Sequence, residues 1–185
     1  VAAFPLAQRL FSDHADAGYL AAKIIGWLGF SYFPWLAGSM GLLSFSGGGP
    51  AFGLLCVGIV FVIFRPDWTR FNWNQILKIE LGFAALFLLG LAARLQTPDL
   101  AGLEKFMDLG FMASSMRASE MPPPDMWMAG KLVNYYYYGH ASAALWALLT
   151  NVSADHGYQL HMATLFALTG VGIFCLLREI SKPSG

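Results

Sequence analysis

The sequence predicts an all-α protein, a polytopic bundle of about five transmembrane helices with a long external loop. Hydrophobic residues make up 57% of its 185 residues and charged residues only 12%, and the mean hydropathy is +0.55. Such a chain is too apolar for an ordinary soluble domain. Five apolar stretches approach the roughly 20 residues that a helix needs to cross the hydrocarbon core. One polar stretch, Gln96–Asn134, forms the loop.

The five predicted spans follow one another at Tyr19–Phe45, Ala51–Phe64, Ile76–Leu95, Tyr135–Val152 and Tyr158–Leu177. Pro34 interrupts the first span, which membrane helices tolerate where their neighbours pack closely. Gly47–Pro50 is typical of a turn and is predicted to separate the first two spans. Residues 1–185 are treated as a single membrane domain. Because it begins at Val1 and ends directly after the fifth span, we expect it to be the amino-terminal part of a longer protein.

Basic residues give the predicted orientation. They collect before the first span and between the second and third, which assigns both regions to the cytoplasm under the positive-inside rule. These residues are Arg9, Lys23, Arg65, Arg70 and Lys78. The Gln96–Asn134 loop then faces outward. With five spans, Arg178 and Lys182 after the last span also fall outside.

The overall charge excludes one class of partner. Eleven basic and eleven acidic residues give a formal net charge of zero, so no bulk field favours nucleic acid. Cys56 and Cys175 lie in apolar runs, which indicates two reduced, buried thiols rather than a disulfide. The expected partner is the lipid bilayer, and the expected location is the cell membrane as a multi-pass protein.

The external loop contains a predicted helix with two acids. Apolar residues recur at helical spacing over Ala101–Ser119, among them Phe106 and Phe111, which indicates an amphipathic helix lying in the membrane interface. Glu104 and Asp108 are four residues apart, so a helix places both carboxylates on one face, roughly 6 Å apart. Such a pair can bind a divalent cation or supply a general base. The alternative is a solvated helix face.

Two further motifs follow in the loop. Met121–Asp125 contains three consecutive prolines and predicts a stiff segment that holds Asp125 and Trp127 in place or acts only as a connector. Asn134–His140 carries four consecutive tyrosines, whose rings favour the boundary between hydrocarbon and water. The loop and this tyrosine run are therefore the predicted location of any chemistry.

Histidines offer a rival site. His140 and His161 lie inside predicted spans, and a membrane histidine can ligate haem or chlorophyll. Their predicted levels in the membrane differ by roughly 10 Å, which argues against one shared haem. Two interpretations of His140 remain: it is a single axial ligand to chlorophyll, or it is a hydrogen-bonded histidine that packs in the protein.

Three stretches resemble the hallmark of the Chlor_Arch_YYY family, large multi-pass membrane proteins of bacteria and archaea that are named for a tyrosine run. They are Glu104–Asp108, Pro122–Gly130 and Asn134–His140. The segment from Pro5 to Lys23 is similar as well, so the resemblance covers most of the chain. That family is in turn distantly similar to the GT-C membrane glycosyltransferases, whose first external loop carries a catalytic acid and whose donor is a sugar on a polyprenyl phosphate.

The resemblance implies roles for individual residues. Glu104 and Asp108 occupy the place of the catalytic acids, and one carboxylate would deprotonate the acceptor hydroxyl. A divalent cation, Lys131 or Arg117 would balance the charge of the phosphate. The implied substrate-binding residues are Asp125, Trp127, Lys131, Asn134, Tyr135, Tyr136, Tyr137, Tyr138 and His140.

Two other functions remain open at this point. One is a non-catalytic transmembrane subunit that packs with other subunits in a larger complex, associated with pigment or electron transfer. The other is a transporter. The enzyme predicts that Glu104 and Asp108 face one aqueous groove together, whereas the structural subunit predicts solvated or ion-paired acids and buried tyrosines.

Overall fold

The described part of the chain is all-helical, as predicted. A computed structural model describes residues 2–96, 98–100 and 102–181, so Val1, Ala101 and Lys182, which entered the sequence analysis, lie outside the described residues. Within those ranges there are seven α-helices, a 3₁₀ turn at Trp68–Arg70 and no strand. The helices are α1 (Phe4–Leu10), α2 (Tyr19–Ser39), α3 (Phe45–Phe64), α4 (Trp73–Gln96), α5 (Leu103–Arg117), α6 (Tyr138–Thr150) and α7 (Ala154–Ile180).

Three helices are long and apolar enough to cross a membrane: α3, α4 and α7. Few of their side chains are buried, and those that are exposed include many large apolar residues. A soluble protein would bury such side chains, whereas a lipid-facing helix exposes them. The other two predicted spans coincide with α2 and α6. The 13 residues of α6 extend about 20 Å, which is less than the hydrocarbon thickness of a bilayer.

The chain forms two compact units. The first consists of residues 1–26, 58–97 and 160–185, and the second of residues 27–57 and 98–159. Helices α2, α3 and α7 contribute residues to both units. The loop motifs, α5 and α6 all belong to the second unit.

In the first unit, α4 and α7 pack antiparallel. Arg178 in the last turn of α7 donates a hydrogen bond to the side chain of Gln75 in the first turn of α4. Near the other end of α4, Gly90 packs against Phe166, and a Cβ added at Gly90 would lie 3.0 Å from the ring. The end of α4 and Leu160 of α7 therefore lie at the same end of this pair.

This geometry corrects the predicted topology. Five spans require the third and fifth to run in the same direction, but α4 and α7 run in opposite directions. The prediction that Arg178 lies on the opposite side from the connection before α4 is therefore wrong, since Arg178 contacts Gln75. Helix α6, which lies at the predicted fourth span Tyr135–Val152, is too short to cross the hydrocarbon by itself.

An ion pair joins α2 to α4 within the first unit. Lys23 lies 2.7 Å from the carboxylate of Glu80, and the Tyr19 hydroxyl donates to the same carboxylate at 2.7 Å. The Lys23 ammonium also lies 5.0 Å from the centre of the Phe83 ring, a cation–π arrangement. Glu80 therefore has a structural role in fixing α2 against α4.

In the second unit, α2 and α3 approach closely through glycines. Pro34 lacks the N–H that would bond the Phe30 carbonyl within α2. Gly53 of α3 lies against that carbonyl, and a Cβ there would be only 2.4 Å from the Phe30 oxygen. Gly49, one turn earlier, packs against Pro34 and Leu145. Glycines four residues apart allow two membrane helices to pack backbone to backbone.

The predicted turn at Gly47–Pro50 is wrong, because these residues form the beginning of α3. Ser44 precedes the helix and caps it: its hydroxyl accepts from the Gly47 N–H at 3.2 Å, and its carbonyl accepts from Gly48 at 2.8 Å. Such a cap satisfies donors that a helix start leaves free. Capping and close packing on α2 therefore outweigh the helix-breaking tendency of glycine and proline.

Both cysteines are free, as predicted, but they are half-buried and not fully buried. The core of the second unit lies between α5 and α6, which pack against each other. Its most buried large residues are Phe30, Phe45, Met112 and Leu145. This core fixes the helix that carries the two predicted catalytic acids.

Candidate functional site

Helix α5, Leu103–Arg117, lies within the stretch that was predicted to form an interfacial amphipathic helix. Its buried face carries Phe111, Met112 and Ser115, and Asp108 lies one turn earlier on the same face. Phe106, which was also predicted to belong to the apolar face, is 57% exposed. The helix thus packs against α6 through the face that also presents Asp108, and this packing determines where the carboxylate points.

Asp108 is held by two side chains from other helices. Its Oδ2 accepts a hydrogen bond from the Tyr158 hydroxyl at 3.3 Å, and its Oδ1 lies 3.5 Å from Nε2 of His140. The Asp108 side chain is 27% exposed. A carboxylate that is partly open to solvent and fixed from two sides can serve as a general base.

His140 is the more buried member of this pair. Burial lowers the pKa of His140 below its ordinary value, and the negative charge of Asp108 opposes that effect without overcoming it. The imidazole is therefore neutral at neutral pH. Its ring also packs against Phe111, with 5.6 Å between the ring centres, which agrees with a packing histidine.

Glu104 is exposed, yet it lies on the same side of α5 as Asp108. The hydrogen bond that Tyr135 donates to Tyr136 raises the pKa of Tyr135, because it stabilises the protonated hydroxyl. The negative charges of Asp108 and Glu104 raise the pKa of Tyr135 further. Both carboxylates thus act on one phenol, as their four-residue spacing predicts.

The segment after the prolines forms a closed turn. Oδ1 of Asp125 accepts from the backbone N–H groups of Trp127 and Met128 at 2.8 and 2.9 Å, and the Asp125 N–H donates to the Lys131 carbonyl at 2.9 Å. Ser114 of α5 donates to the Pro124 carbonyl at 2.6 Å. The predicted holding of Asp125 and Trp127 thus has a physical basis in these hydrogen bonds.

A cavity of about 540 Å³ lies between this turn, α5 and the start of the tyrosine run. Half of its walls are residues that the sequence analysis assigned to substrate binding: Asp125, Trp127, Lys131, Asn134 and Tyr135. The remaining walls are apolar or aromatic: Met107, Phe111, Met128, Leu132 and Val133. The cavity therefore combines aromatic surfaces with one cationic and one anionic side chain.

The four tyrosines divide into two pairs. Tyr135 and Tyr136 are exposed, and their hydroxyls lie 2.6 Å apart. Tyr137 is buried and its hydroxyl accepts from the Trp35 indole at 3.0 Å, while Tyr138 shares a hydrogen bond of 3.0 Å with Ser31. The second pair, which was also predicted to bind substrate, thus anchors the run to α2 and does not line the cavity.

Sequence reasoning missed two residues of the site. Tyr158 lies fifty positions from its partner Asp108, and no local spacing connects them. Phe111 was counted only as part of the apolar stripe, but it lines the cavity and stacks on Tyr135 with 5.8 Å between ring centres. Within the described ranges, no three His, Cys, Asp or Glu side chains come together as a metal-type cluster.

Comparison with known protein families gives a match over most of the chain. A protein family described as "Uncharacterized membrane protein (DUF2298)" matches residues 30–185. No curated protein and no solved structure matches the chain. The match and the three apolar helices indicate a membrane protein. The likeness to Chlor_Arch_YYY and GT-C proteins stays a prediction.

Proposed function

The chain belongs to the DUF2298 family of membrane proteins, and we propose that it is a glycosyltransferase that takes a sugar from a polyprenyl-phosphate donor. One observation carries the proposal: the Asp108 carboxylate is fixed by Tyr158 and His140 on the helix that forms one wall of an aromatic cavity. The similarity to GT-C enzymes supplies the reaction class, as an analogy.

Asp108 is the proposed general base. A base must keep its lone pairs in one place within reach of the hydroxyl proton that it removes. Tyr158 and His140 contact different oxygens of Asp108, so the carboxylate has little freedom to rotate. Glu104 is exposed on the same side of α5, and its negative charge would help to keep a proton on Asp108 once it has been transferred.

The cavity suits a sugar attached to a phosphate. Aromatic rings such as those of Trp127 and Tyr135 offer flat apolar faces with polar edges, which can pack on the apolar face of a sugar ring. Lys131 supplies a positive charge for the phosphate, and Asp125 can accept hydrogen bonds from sugar hydroxyls. The volume of about 540 Å³ lies within the usual range for ligand pockets.

The proposed step is a displacement at the anomeric carbon of the sugar. The acceptor hydroxyl loses its proton to Asp108 as its oxygen bonds to that carbon, and the bond between the carbon and the phosphate oxygen breaks. The electron pair leaves with the polyprenyl phosphate, whose negative charge Lys131 stabilises. The proton on Asp108 is later released to water, which restores the base.

The proposal can be tested with the full chain in proteoliposomes. The liposomes would contain polyprenyl phosphates linked to radiolabelled glucose, mannose or galactose, with alkyl glycosides as acceptors. We expect Asp108→Asn to lower transfer at least a hundredfold, in line with the contribution of a general base. Glu104→Gln should lower it less, because its carboxylate acts only through its charge.

Glu120→Gln is the matched control, since Glu120 is an exposed acid of the same loop. It should leave transfer unchanged. Equal activity of Asp108→Asn and Glu120→Gln would exclude Asp108 as the base. Absence of transfer by the wild-type chain with all three donors would overturn the proposed function.

A further inference from the structure

The first unit contains a second cavity, of about 300 Å³, which the proposed sugar transfer does not use. It lies between the loop after α1, the first turns of α2 and the last turns of α7. Its charged and polar walls include His14, Asp16, Arg178 and Glu179, and its apolar walls include Leu20 and Leu176. The walls fall into a charged rim and an apolar floor.

The rim holds groups of both signs in fixed positions. The two oxygens of Asp16 accept from the backbone N–H groups of Gly18 and Leu20 at 3.1 and 2.9 Å. Arg178 is held by its hydrogen bond to Gln75. His14 and Glu179 complete the rim. One permanent cation and two carboxylates thus surround the opening of the cavity.

The floor is apolar and continues along α7. Leu20 and Ile24 of α2 face Gly172 and Leu176 of α7 across the cavity. Helix α7 is long and apolar enough to cross a membrane, and Arg178 and Glu179 lie in its last turn. With α7 across a bilayer, the floor would lie at the level of the hydrocarbon and the rim at the level of the lipid headgroups.

We propose that this cavity binds a phospholipid whose headgroup carries both a phosphate and a primary ammonium group. Arg178 and His14 donate hydrogen bonds to the phosphate, and Asp16 and Glu179 accept hydrogen bonds from the ammonium. The first part of an acyl chain lies on the apolar floor, beside Ile24.

The charge pattern selects this headgroup among common lipids. A headgroup that is only anionic would bring its charge close to two carboxylates, which costs free energy. A quaternary ammonium group has no N–H that it can donate to the carboxylates of Asp16 and Glu179. A primary ammonium beside a phosphate matches both signs of the rim and both kinds of hydrogen-bonding group.

The test is a lipid titration of the delipidated full chain in detergent, read by native mass spectrometry. The probes are palmitoyl-oleoyl phosphatidylethanolamine and the phosphatidylcholine and phosphatidylglycerol with the same acyl chains. We expect the first to bind about tenfold more tightly than the other two, since it alone makes charged hydrogen bonds to both acids. Equal binding of the three lipids would overturn the proposal.

Two variants locate the site. Arg178→Gln should lower the affinity for phosphatidylethanolamine about tenfold. Lys78→Gln should not change this affinity, because Lys78 is an exposed basic residue of α4 outside the cavity. Gly172→Leu should also abolish the preference, because Gly172 lines the cavity and a Cβ there meets no atom within 4 Å. The added side chain therefore fills the cavity without displacing a helix.

Gly58→Leu is the control for cavity filling, since a Cβ at Gly58 likewise meets no atom within 4 Å and Gly58 is not part of the cavity wall. It should bind lipid like the wild type. If Gly172→Leu keeps its melting temperature and still prefers phosphatidylethanolamine, the proposed site is wrong. This outcome does not depend on any transferase activity, so it tests the lipid site separately.

Discussion

The hydroxyl of Tyr158, in the second turn of α7, donates a hydrogen bond of 3.3 Å to the Asp108 carboxylate in the middle of α5. Only 4% of Tyr158 is exposed, so the donor is fixed by its surroundings. The bond connects residues fifty positions apart in the chain. It therefore makes the position of the proposed base depend on where α7 begins.

Tyr158→Phe should reduce transfer about tenfold, because a carboxylate with one fewer hydrogen bond is less precisely oriented. It keeps the buried ring, so the free energy of unfolding should fall by only about 1 kcal/mol. Rate measurements with the labelled donor and thermal unfolding check both effects. Tyr32→Phe, at an exposed tyrosine, is the control. Unchanged transfer in Tyr158→Phe would contradict the orienting role.

The neutral state of His140 predicts a pH dependence of stability. Its pKa is lowered in the folded protein, while in the unfolded chain it stays near its ordinary value of about 6.5. As the pH falls through about 6.5, the unfolded state therefore binds the proton first and stability decreases. The loss of stability is complete once the pH is below the lowered pKa of the folded state. Well above pH 6.5, His140 is neutral in both states and the shift in its pKa does not affect stability.

Melting temperatures of the wild type and His140→Gln between about pH 8 and pH 5 check this prediction. The wild type should lose more stability on acidification than the variant, because only the wild type carries the depressed imidazole. Parallel curves for the two proteins would show that His140 does not titrate with a lowered pKa.

Gly53→Ala should destabilise the second unit by about 1 to 3 kcal/mol, because its Cβ would lie 2.4 Å from the Phe30 backbone oxygen. Backbone cannot move aside as a flexible side chain can. Gly58→Ala, where nothing lies within 4 Å, should be neutral or stabilise the protein by up to about 1 kcal/mol through helix propensity. Thermal unfolding in one detergent distinguishes the two. Equal melting temperatures would contradict the close contact of α2 and α3.

The antiparallel packing of α4 and α7 predicts which residues share a side of the membrane. In a Cys56→Ser, Cys175→Ser background, Glu120→Cys and Ser153→Cys should react with a membrane-impermeant maleimide from the same side. Asn74→Cys, at the start of α4, should react only from the other side. All three parent residues are exposed. Labelling of Ser153→Cys together with Asn74→Cys would restore a membrane crossing between α4 and α7.

The fold class follows from the sequence because it depends on composition and on the length of apolar runs, which are local quantities. The topology does not. The run Tyr135–Val152 is apolar enough to suggest a span, but the helix begins only at Tyr138. The preceding residue, Tyr137, is held by a hydrogen bond from the Trp35 indole. The start of α3 likewise depends on its contacts with α2. These contacts join residues that are distant in the sequence, so no local pattern reveals them.

The candidate site is likewise predictable only in part. The spacing of Glu104 and Asp108 is sufficient to place them on one side of a helix, and five cavity residues lie in motifs that are visible in the sequence. The pairing of Asp108 with Tyr158 and the inward direction of Tyr137 and Tyr138 depend on tertiary packing. Four identical side chains in a row carry no signal that distinguishes the inward pair from the outward pair.

The contact between Gly53 and the Phe30 carbonyl has a consequence for the order of assembly. In lipid, the carbonyl that Pro34 leaves without its helical donor finds no water to replace it. Helix α2 by itself would therefore enter a bilayer with one carbonyl that lacks its helical donor, and the backbone of Gly53 in α3 would cover that carbonyl. Only five residues separate the two helices, so we expect them to insert together as a hairpin during synthesis.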